Sequence, residues 1–279
     1  MDRYAVIGNP IAHSKSPFIH QAFAQQCQQI LEYRAECAPL EGFAAFIQNL
    51  HQAGLKGANV TVPFKLEAFN LATEHTARAL AAGAVNTLKF MESGHILGDN
   101  TDGAGLVYDL ARLDFKLEGQ RILLLGAGGA AQGVIQPLLN CKPASLVIAN
   151  RTFEKAQALA ARFHQTYNNI PVSSAHFETL SPDFHGIINA SASSLKADLP
   201  PLPTAVYSEA QWAYDMMYSA MPTRFLQTAG HYGVQNLADG LGMLVAQAAE
   251  SFYLWRSVRP NILPVLADLR AQLHTPPIR

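Results

Sequence analysis

The sequence is short of the features that mark exported, membrane and nucleic-acid-binding proteins. Its three cysteines are odd in number, far apart and without CxxC spacing, so neither a disulfide framework nor a metal site is indicated. No run approaches the roughly 20 apolar residues of a membrane span, and the N-terminus lacks a basic and then hydrophobic leader. A net charge of −1 offers no basic excess for nucleic acid or an acidic membrane. These absences predict a cytoplasmic protein that binds neither.

The composition and length describe an ordinary globular protein. Apolar residues make up 49% of the 279 positions and charged residues 15%, which is enough to bury large cores and too little charge for disorder. A chain of this length is long for one core and comfortable for two. We therefore expect two domains.

Short β-branched runs alternate with helical periodicity along the chain. The first part reads "YAVIG", "SPFIHQAFAQQC", "EYRAEC", "PLEGFAAFIQNLHQ" and "GANVTV". This alternation is typical of βαβ units and a largely parallel sheet, so the fold class is α/β. Ser16 before Pro17 predicts a helix start in which the serine hydroxyl is the cap.

Later segments indicate how the domains are connected. "MESGHILGDN" predicts a tight turn and a returning strand, and residues 101–113 a helix that leads into a second alternating series. Residues 241–256 form an apolar helix, which should be buried on several sides and return to the first domain. "ADLPPLPT" predicts a surface loop. The pattern predicts an N-terminal lobe, an inserted domain and a C-terminal return.

A glycine-rich turn follows an apolar strand in "RILLLGAGGAAQGVIQPLL". Small residues there let a backbone approach a pyrophosphate, and the helix that follows presents free N–H groups. A tight turn without a ligand is the alternative. The turn fits GxGxxG/A with Ala131 in the third position, and its binding residues would be Gly126, Ala127, Gly128, Gly129 and Ala130.

The next strand, "SLVIAN", ends in groups suited to a 2′-phosphate. Where a fold that prefers NAD carries an acid, this chain has Asn150, Arg151 and Thr152. Lys155, one turn into the following helix, adds positive charge, although Glu154 offsets part of it. The pattern favours NADP over NAD, and the alternative is a solvated arginine at a strand end.

Motifs along the whole chain carry a family resemblance. "GNPIAHSKSP", "GANVTVPFK", "AGAVNT", "GDNTDG", "GAGGAA", "NRT", "DMMY" and "ADGLGMLVAQAA" occur together and in this order. The chain resembles shikimate dehydrogenases. The resemblance implies NADP-dependent interconversion of 3-dehydroshikimate and shikimate. It also implies a discontinuous substrate-binding domain of residues 1–103 and 241–279 and a Rossmann-like NADP-binding domain of residues 104–240.

The resemblance makes Lys65 the catalytic acid/base and Asp102 its partner at the substrate hydroxyl. The residue types agree, because hydride transfer at a carbinol carbon needs a group that exchanges the hydroxyl proton. Lys65 follows a strand, and open α/β sheets place ligands beyond the carboxyl ends of their strands. A solvated lysine and a helix-capping aspartate are the alternatives.

Further polar residues match positions that bind the substrate in the family. Neutral hydroxyls would meet its carboxylate, and donors and acceptors would hold its ring hydroxyls. The alternatives are a cap for Ser16, a strand residue for Thr61, a turn residue for Asn86 and an interhelical hydrogen bond for Gln247. The carboxylate group is Ser14, Ser16 and Tyr218, and the ring-hydroxyl group is Thr61, Asn86 and Gln247.

Two positions match residues near the nicotinamide, and two segments depart from the family pattern. Met216 and Gly240 are the matches, with core filler and a simple turn as their alternatives. Where the family often carries a cofactor-binding acid, the chain has Thr76 and Ala77. "INASASS" also departs from the usual pattern, so its serines receive no role.

Two other functions remain open. One is a quinate/shikimate dehydrogenase that uses NAD, against which Arg151 argues. The other is a non-catalytic protein that senses NADP, against which the retention of Lys65 and Asp102 argues. The expected partner is a small-molecule substrate, and a homodimer is compatible with the sequence.

Overall fold

The structure is a computed structural model that describes residues 1–191 and 199–274. Contacts divide the chain into two compact units. Unit 1 comprises Met1–Gly105 and Leu244–Gln272, and the main body of unit 2 is Leu106–Met243. In the described ranges, no helix has the length and apolar character that a bilayer crossing requires.

Unit 1 is built around a six-stranded sheet with the order β2-β1-β3-β5-β6-β4. Its strands are β1 (Asp2–Gly8), β2 (Leu31–Cys37), β3 (Leu55–Val60), β4 (Glu74–His75), β5 (Thr87–Phe90) and β6 (Ile96–Asp99). Its helices are α1 (Ser16–Gln26), α2 (Phe43–Gln52), α3 (Lys65–Leu71), α4 (Ala77–Ala82) and most of α10 (Ile262–His274). Helices α5 (Asp102–Arg112) and α9 (Leu241–Arg256) each begin in one unit and end in the other.

The sheet of unit 1 is mixed: the strands of the predicted βαβ units are parallel, and the predicted returning strand belongs to an antiparallel pair. Strand β1 pairs in parallel with β2 and β3, and β4 with β6, but β5 is antiparallel to β3 and β6. The tight turn at Gly94, where φ is +85°, makes β6 return beside β5. A turn this short permits only an antiparallel pair, as the returning strand in the sequence predicted.

The last turns of α9 pack on the sheet of unit 1. Trp255 donates from its indole N–H to the carbonyl of Leu88 at 3.0 Å. A side chain at Gly57 would place its Cβ 2.5 Å from the Trp255 nitrogen, so this strand position needs a glycine. The predicted return of residues 241–256 to the first part of the chain is therefore observed.

Unit 2 contains a parallel six-stranded sheet with the order β9-β8-β7-β10-β11-β12. This is the order 3-2-1-4-5-6 of doubly wound nucleotide-binding folds, in which ligands bind where the order reverses, here between β7 and β10. Its strands are β7 (Arg121–Leu125), β8 (Ser145–Ala149), β9 (Val172–Ala175), β10 (Gly186–Asn189), β11 (Trp212–Asp215) and β12 (Asn236–Asp239). Its helices are α6 (Gly129–Asn140), α7 (Phe153–Thr166) and α8 (Arg224–His231). The predicted α/β class and Rossmann-like sheet are confirmed.

The central strands of unit 2 are apolar on both faces, as parallel sheets between helices require. Residues 122–125 of β7 are fully buried. The predicted loop at 197–204 begins in residues outside the described ranges. From Leu199 to Pro203 the chain forms no helix or strand, and a 3₁₀ turn follows at Thr204–Tyr207.

Candidate active site

Lys65 and Asp102 form an ion pair in unit 1. Lys65 is the first residue of α3 and Asp102 the first of α5. The Lys65 Nζ lies 2.5 Å from Asp102 Oδ2, and the two side chains are 21% and 11% exposed. A mostly buried pair with some access to solvent can exchange a proton with a bound hydroxyl. The solvated-lysine alternative does not fit this geometry.

The second oxygen of Asp102 is held by Asn86. Asn86 Nδ2 donates to Asp102 Oδ1 at 2.8 Å, while its Oδ1 accepts the backbone N–H of Thr101 at 2.9 Å. The N–H of Asp102 itself donates to Asn100 Oδ1 at 3.2 Å. Both carboxylate oxygens of Asp102 therefore have side-chain partners, Lys65 and Asn86. Asn100 accepts from the first N–H of helix α5.

Gln247 on α9 joins the same cluster. Its Oε1 lies 3.3 Å from both Asn86 Nδ2 and the Thr101 hydroxyl, and its Nε2 donates to the carbonyl of Leu244 at 2.8 Å. The side chain is buried, so these bonds remove the cost of an unpaired amide. The structure thus brings four predicted residues together, namely Lys65, Asn86, Asp102 and Gln247.

Ser14, Ser16 and Thr61 lie beyond the ends of β1 and β3. Ser16 is the first residue of α1, whose cap position is Lys15 and has no side-chain cap bond. The predicted cap at Ser16 is therefore wrong, because this residue is already inside the helix and its N–H donates to Ser14 Oγ at 3.3 Å. Thr61 packs over Gly8, where a Cβ would lie 2.5 Å from the threonine methyl.

The glycine-rich turn of unit 2 leaves open space beside its backbone. Gly126 has a φ of +113°, which favours glycine, and a Cβ there would lie 3.2 Å from the backbone of Ala190. Nothing lies within 4 Å of where a Cβ would be at Gly128 or Gly129. Gly128 is the N-cap of α6, with Ala127 before it, and Ala130 lies in the first turn. The free N–H groups there fit a pyrophosphate.

The residues expected at the 2′-phosphate follow β8, which ends at Ala149. Asn150 Nδ2 donates to the carbonyl of Thr152 at 2.9 Å and shapes the turn into α7. Arg151, Thr152 and Lys155 are exposed. Neither cation forms an ion pair within the described ranges, so both are available for an anion.

Met216, Tyr218 and Gly240 lie beyond the ends of β11 and β12. A Cβ at Gly240 would lie 2.1 Å from the Met216 carbonyl oxygen, and the Gly240 N–H donates to the Met217 carbonyl at 3.1 Å. Burial, together with the charge of Asp239, raises the pKa of the Tyr218 hydroxyl. Tyr218 therefore stays a neutral donor, as binding of a carboxylate would require.

A second carboxylate beside the site was not predicted. Asp99 is 1% exposed and accepts two bonds from Arg78, at 2.7 Å and 2.6 Å, and one from the Thr76 hydroxyl at 2.6 Å. Thr76 also caps α4. The threonine found in place of the expected acid thus supports the strand that leads to Asp102. The only signal in the sequence was the first aspartate of "GDNTDG".

The described ranges contain no group of three or more metal-ligating side chains. The open turn at Gly128 and Gly129, together with the unpaired cations Arg151 and Lys155, fits a dinucleotide with an additional phosphate. Ser191 bonds Asn189 within its own loop. Ser193 and Ser194, which received no role, lie outside the described ranges.

Comparisons with known proteins match three parts of one family. The shikimate dehydrogenase substrate binding domain matches residues 6–88, shikimate/quinate 5-dehydrogenase residues 109–196, and the shikimate 5′-dehydrogenase C-terminal domain residues 240–270. A protein of Nitrosospira multiformis named shikimate dehydrogenase (NADP(+)) is 56% identical over 99% of both chains.

Solved structures match along nearly the whole chain as well. The Ael1 enzyme from Pseudomonas putida is 45% identical, with a TM-score of 0.89 over 99% of both chains. The shikimate 5-dehydrogenase of Thermus thermophilus, solved with NADP(H) and shikimate, is 31% identical with a TM-score of 0.87, over 98% of this chain and 100% of that one. As its motifs predicted, this chain belongs to the shikimate dehydrogenase family.

Proposed function

We propose that this chain catalyses the reversible, NADP-dependent reduction of 3-dehydroshikimate to shikimate, in the biosynthesis of aromatic amino acids. The observation that carries the proposal is the Lys65–Asp102 pair, bonded at 2.5 Å and held by Asn86. The chain is therefore an oxidoreductase that acts on a carbinol group. The names of its relatives support both the substrate and the coenzyme.

The proton step belongs to unit 1. Lys65 delivers a proton to the forming hydroxyl in reduction and removes it in oxidation, and Asp102 orients the ammonium and bonds the same hydroxyl. Thr61, Asn86 and Gln247 hold the ring hydroxyls through donors and acceptors. Such polar matching discriminates against analogues that lack a hydroxyl.

The carboxylate of the substrate meets neutral donors. Ser14 and Ser16 supply hydroxyls at the start of α1, and Tyr218 supplies a phenol that remains protonated. Because these donors carry no charge, they bind the anion without an ion pair. Binding then depends on orientation more than on net charge.

When bound, NADPH would supply the hydride in reduction and NADP+ would accept it in oxidation. The turn at residues 126–130 would bind its pyrophosphate through backbone N–H groups, and Met216 and Gly240 would border its nicotinamide. The 2′-phosphate would be bound by Asn150, Arg151, Thr152 and Lys155.

The domain assignment is part of the proposal. Residues 1–103 and 241–279 form the substrate-binding domain, and residues 104–240 the NADP-binding domain. The two contact units support this division, with boundaries inside α5 and α9.

The cellular setting and assembly are also proposed. Cys27, Cys37 and Cys141 are free thiols, as suits a reducing cytoplasm. A homodimer stays a prediction, and sedimentation of the purified chain would distinguish it from a monomer.

Catalytic efficiency with a panel of coenzymes and substrates tests the function. We expect kcat/KM for 3-dehydroshikimate to be higher with NADPH than with NADH, and shikimate to be oxidised faster than quinate. A preference for NADH and quinate would favour a quinate/shikimate dehydrogenase. Binding of NADP by folded protein without any turnover would favour the sensing protein.

A further inference from the structure

A chain of buried polar groups lies behind the Lys65–Asp102 pair in unit 1. It begins at Tyr33 on β2, whose hydroxyl donates to Asn59 Oδ1 on β3 at 2.7 Å. Tyr33 is 7% exposed and Asn59 6%. Groups this deeply buried are costly unless they are bonded, and the bond between Tyr33 and Asn59 removes that cost.

From Asn59 the polar chain continues to the candidate active site. Asn59 Nδ2 donates to the hydroxyls of Thr87 at 3.1 Å and Ser251 at 2.9 Å. The Thr87 hydroxyl donates to Asn86 Oδ1 at 2.9 Å. Asn86 then donates from Nδ2 to Asp102. Every link from Tyr33 to the catalytic carboxylate is thus a hydrogen bond between described side chains.

The polar chain has a direction, which Asp102 and the backbone N–H of Thr101 set. An asparagine amide can be turned either way, and only its partners decide which end is the donor. Asp102 can only accept and the backbone N–H of Thr101 can only donate, so Asn86 turns its nitrogen to Asp102 and its oxygen to Thr101 and Thr87. Thr87 then accepts from the nitrogen of Asn59, and the oxygen of Asn59 is the end that accepts from the Tyr33 hydroxyl.

The Tyr33 hydroxyl stays protonated at the end of this polar chain. Burial raises its pKa well above the usual value. Tyr33 therefore remains a donor to Asn59.

The Tyr33 ring is held in place by aromatic packing. It stacks on His20 with ring centroids 4.2 Å apart and planes at 7°. Neither nitrogen of His20 has a hydrogen-bond partner within the described ranges, so its contact with Tyr33 is made by the ring faces. The stack fixes the position of the phenol oxygen without taking part in the polar chain.

We propose that Tyr33 is a positioning residue for the reaction, which orients the hydroxyl-binding Asn86 and Asp102 through Asn59 and Thr87. This inference rests on the proposed function. Tyr33 is not among the residues proposed to contact the substrate or the coenzyme. It orients residues that are, so its removal should weaken the use of shikimate more than that of NADP.

The test compares Tyr33→Phe with Tyr4→Phe. Tyr33→Phe keeps the ring and its stack on His20 and removes only the hydroxyl. Tyr4 is a matched control, because it pairs with Tyr33 in the sheet and is 4% exposed. Its hydroxyl does not belong to the polar chain that begins at Tyr33 and lies 3.4 Å from Arg256. Steady-state kinetics with each ligand, calorimetry with shikimate and thermal unfolding are measured for both variants.

We expect Tyr33→Phe to lower kcat/KM for shikimate by about tenfold, the scale of one lost hydrogen bond, with KM for NADP unchanged. Combined with Thr87→Val, which removes a hydroxyl of the same polar chain, the loss should be smaller than the product of the single losses. Kinetics like those of Tyr4→Phe, or equal losses for both ligands, would overturn the positioning role. Lack of turnover by the unmodified protein would instead reject the proposed function.

Discussion

The two candidate binding regions are built from different parts of the chain. In unit 1, Lys65, Asn86, Asp102 and Gln247 are already bonded to one another through their side chains. In unit 2, the turn at Gly128 and Gly129 offers backbone N–H groups beside open space. A polyol is recognised by donors and acceptors fixed in advance, whereas a phosphate needs only a close backbone and positive charge.

This difference has a consequence for mutation. A change in unit 1 removes a partner from a connected network, so it should alter the chemical step or substrate selectivity. A change in unit 2 should alter coenzyme affinity and leave the proton step intact. Three variants test this division and a fourth, His20→Phe, tests the packing of unit 1; they are ordered by the size of the expected effect.

Lys65→Ala should have the largest effect. Removal of a general acid/base lowers kcat by about 10³-fold, within the usual range for such groups, while the binding of shikimate stays largely intact. Lys56→Ala, at an exposed position of β3, is the control and should behave as the unmodified protein. Steady-state turnover and calorimetry separate the two quantities, and equal losses in both would point to a binding role.

Arg151→Ala should weaken NADP selectively. One charged hydrogen-bonding partner is worth about 2 kcal/mol, or roughly 30-fold in affinity. The exposed Lys116 in unit 2 provides the control variant Lys116→Ala, which should leave NADP affinity unchanged. Fluorescence titration with NADP and NAD measures the effect. A matching loss for NAD would contradict the assignment of Arg151 to the 2′-phosphate.

His20→Phe should flatten the pH dependence of stability in unit 1. Burial lowers the pKa of His20 from 6.5 to about 3. Between these values the unfolded chain holds a proton that the folded chain lacks, so stability is full above the unfolded pKa and falls as the pH drops. The slope is at most about 1.4 kcal/mol per pH unit.

The measurement for His20 is urea unfolding of both proteins across this acidic range. Phenylalanine keeps an aromatic ring against Tyr33 and cannot titrate. The curve of the unmodified protein should therefore fall more steeply than that of the variant. Parallel curves would contradict the burial of His20 in its neutral form.

Gly129→Ala should have the smallest effect on the fold. The added methyl group enters open space, so the free energy of unfolding should change by less than about 1 kcal/mol. The same methyl occupies the space that a pyrophosphate would need, so NADP affinity should fall. Thermal unfolding and a coenzyme titration on one protein sample check both statements. Unchanged NADP affinity would contradict binding of the pyrophosphate by the turn at residues 126–130.

The sequence predicted the parts whose signal is local. The strand, glycine turn and helix at residues 121–140 follow one another directly, and Arg151 follows its strand, so their positions could be read from order alone. The pairing of Lys65 with Asp102 depended on the family resemblance, because 37 positions separate the two residues. The tight turn at Gly94 predicted the hairpin.

Other features had no local signal. The bond from Asn59 to Ser251 joins residues 192 positions apart, and an asparagine in a strand resembles any other polar residue. The antiparallel pairing of β3 with β5 depends on where the intervening chain leads. The predicted cap at Ser16 was wrong because serine before proline is a common cap pattern, whereas here Ser16 is the first residue inside the helix.

The most direct test is a crystal structure of the protein with shikimate and NADP bound. A ring hydroxyl of shikimate should lie within hydrogen-bonding distance of both Lys65 and Asp102, and the coenzyme pyrophosphate should lie on the N–H groups of Gly128 and Gly129. Shikimate bound away from Lys65 and Asp102, or a pyrophosphate held elsewhere, would contradict these assignments.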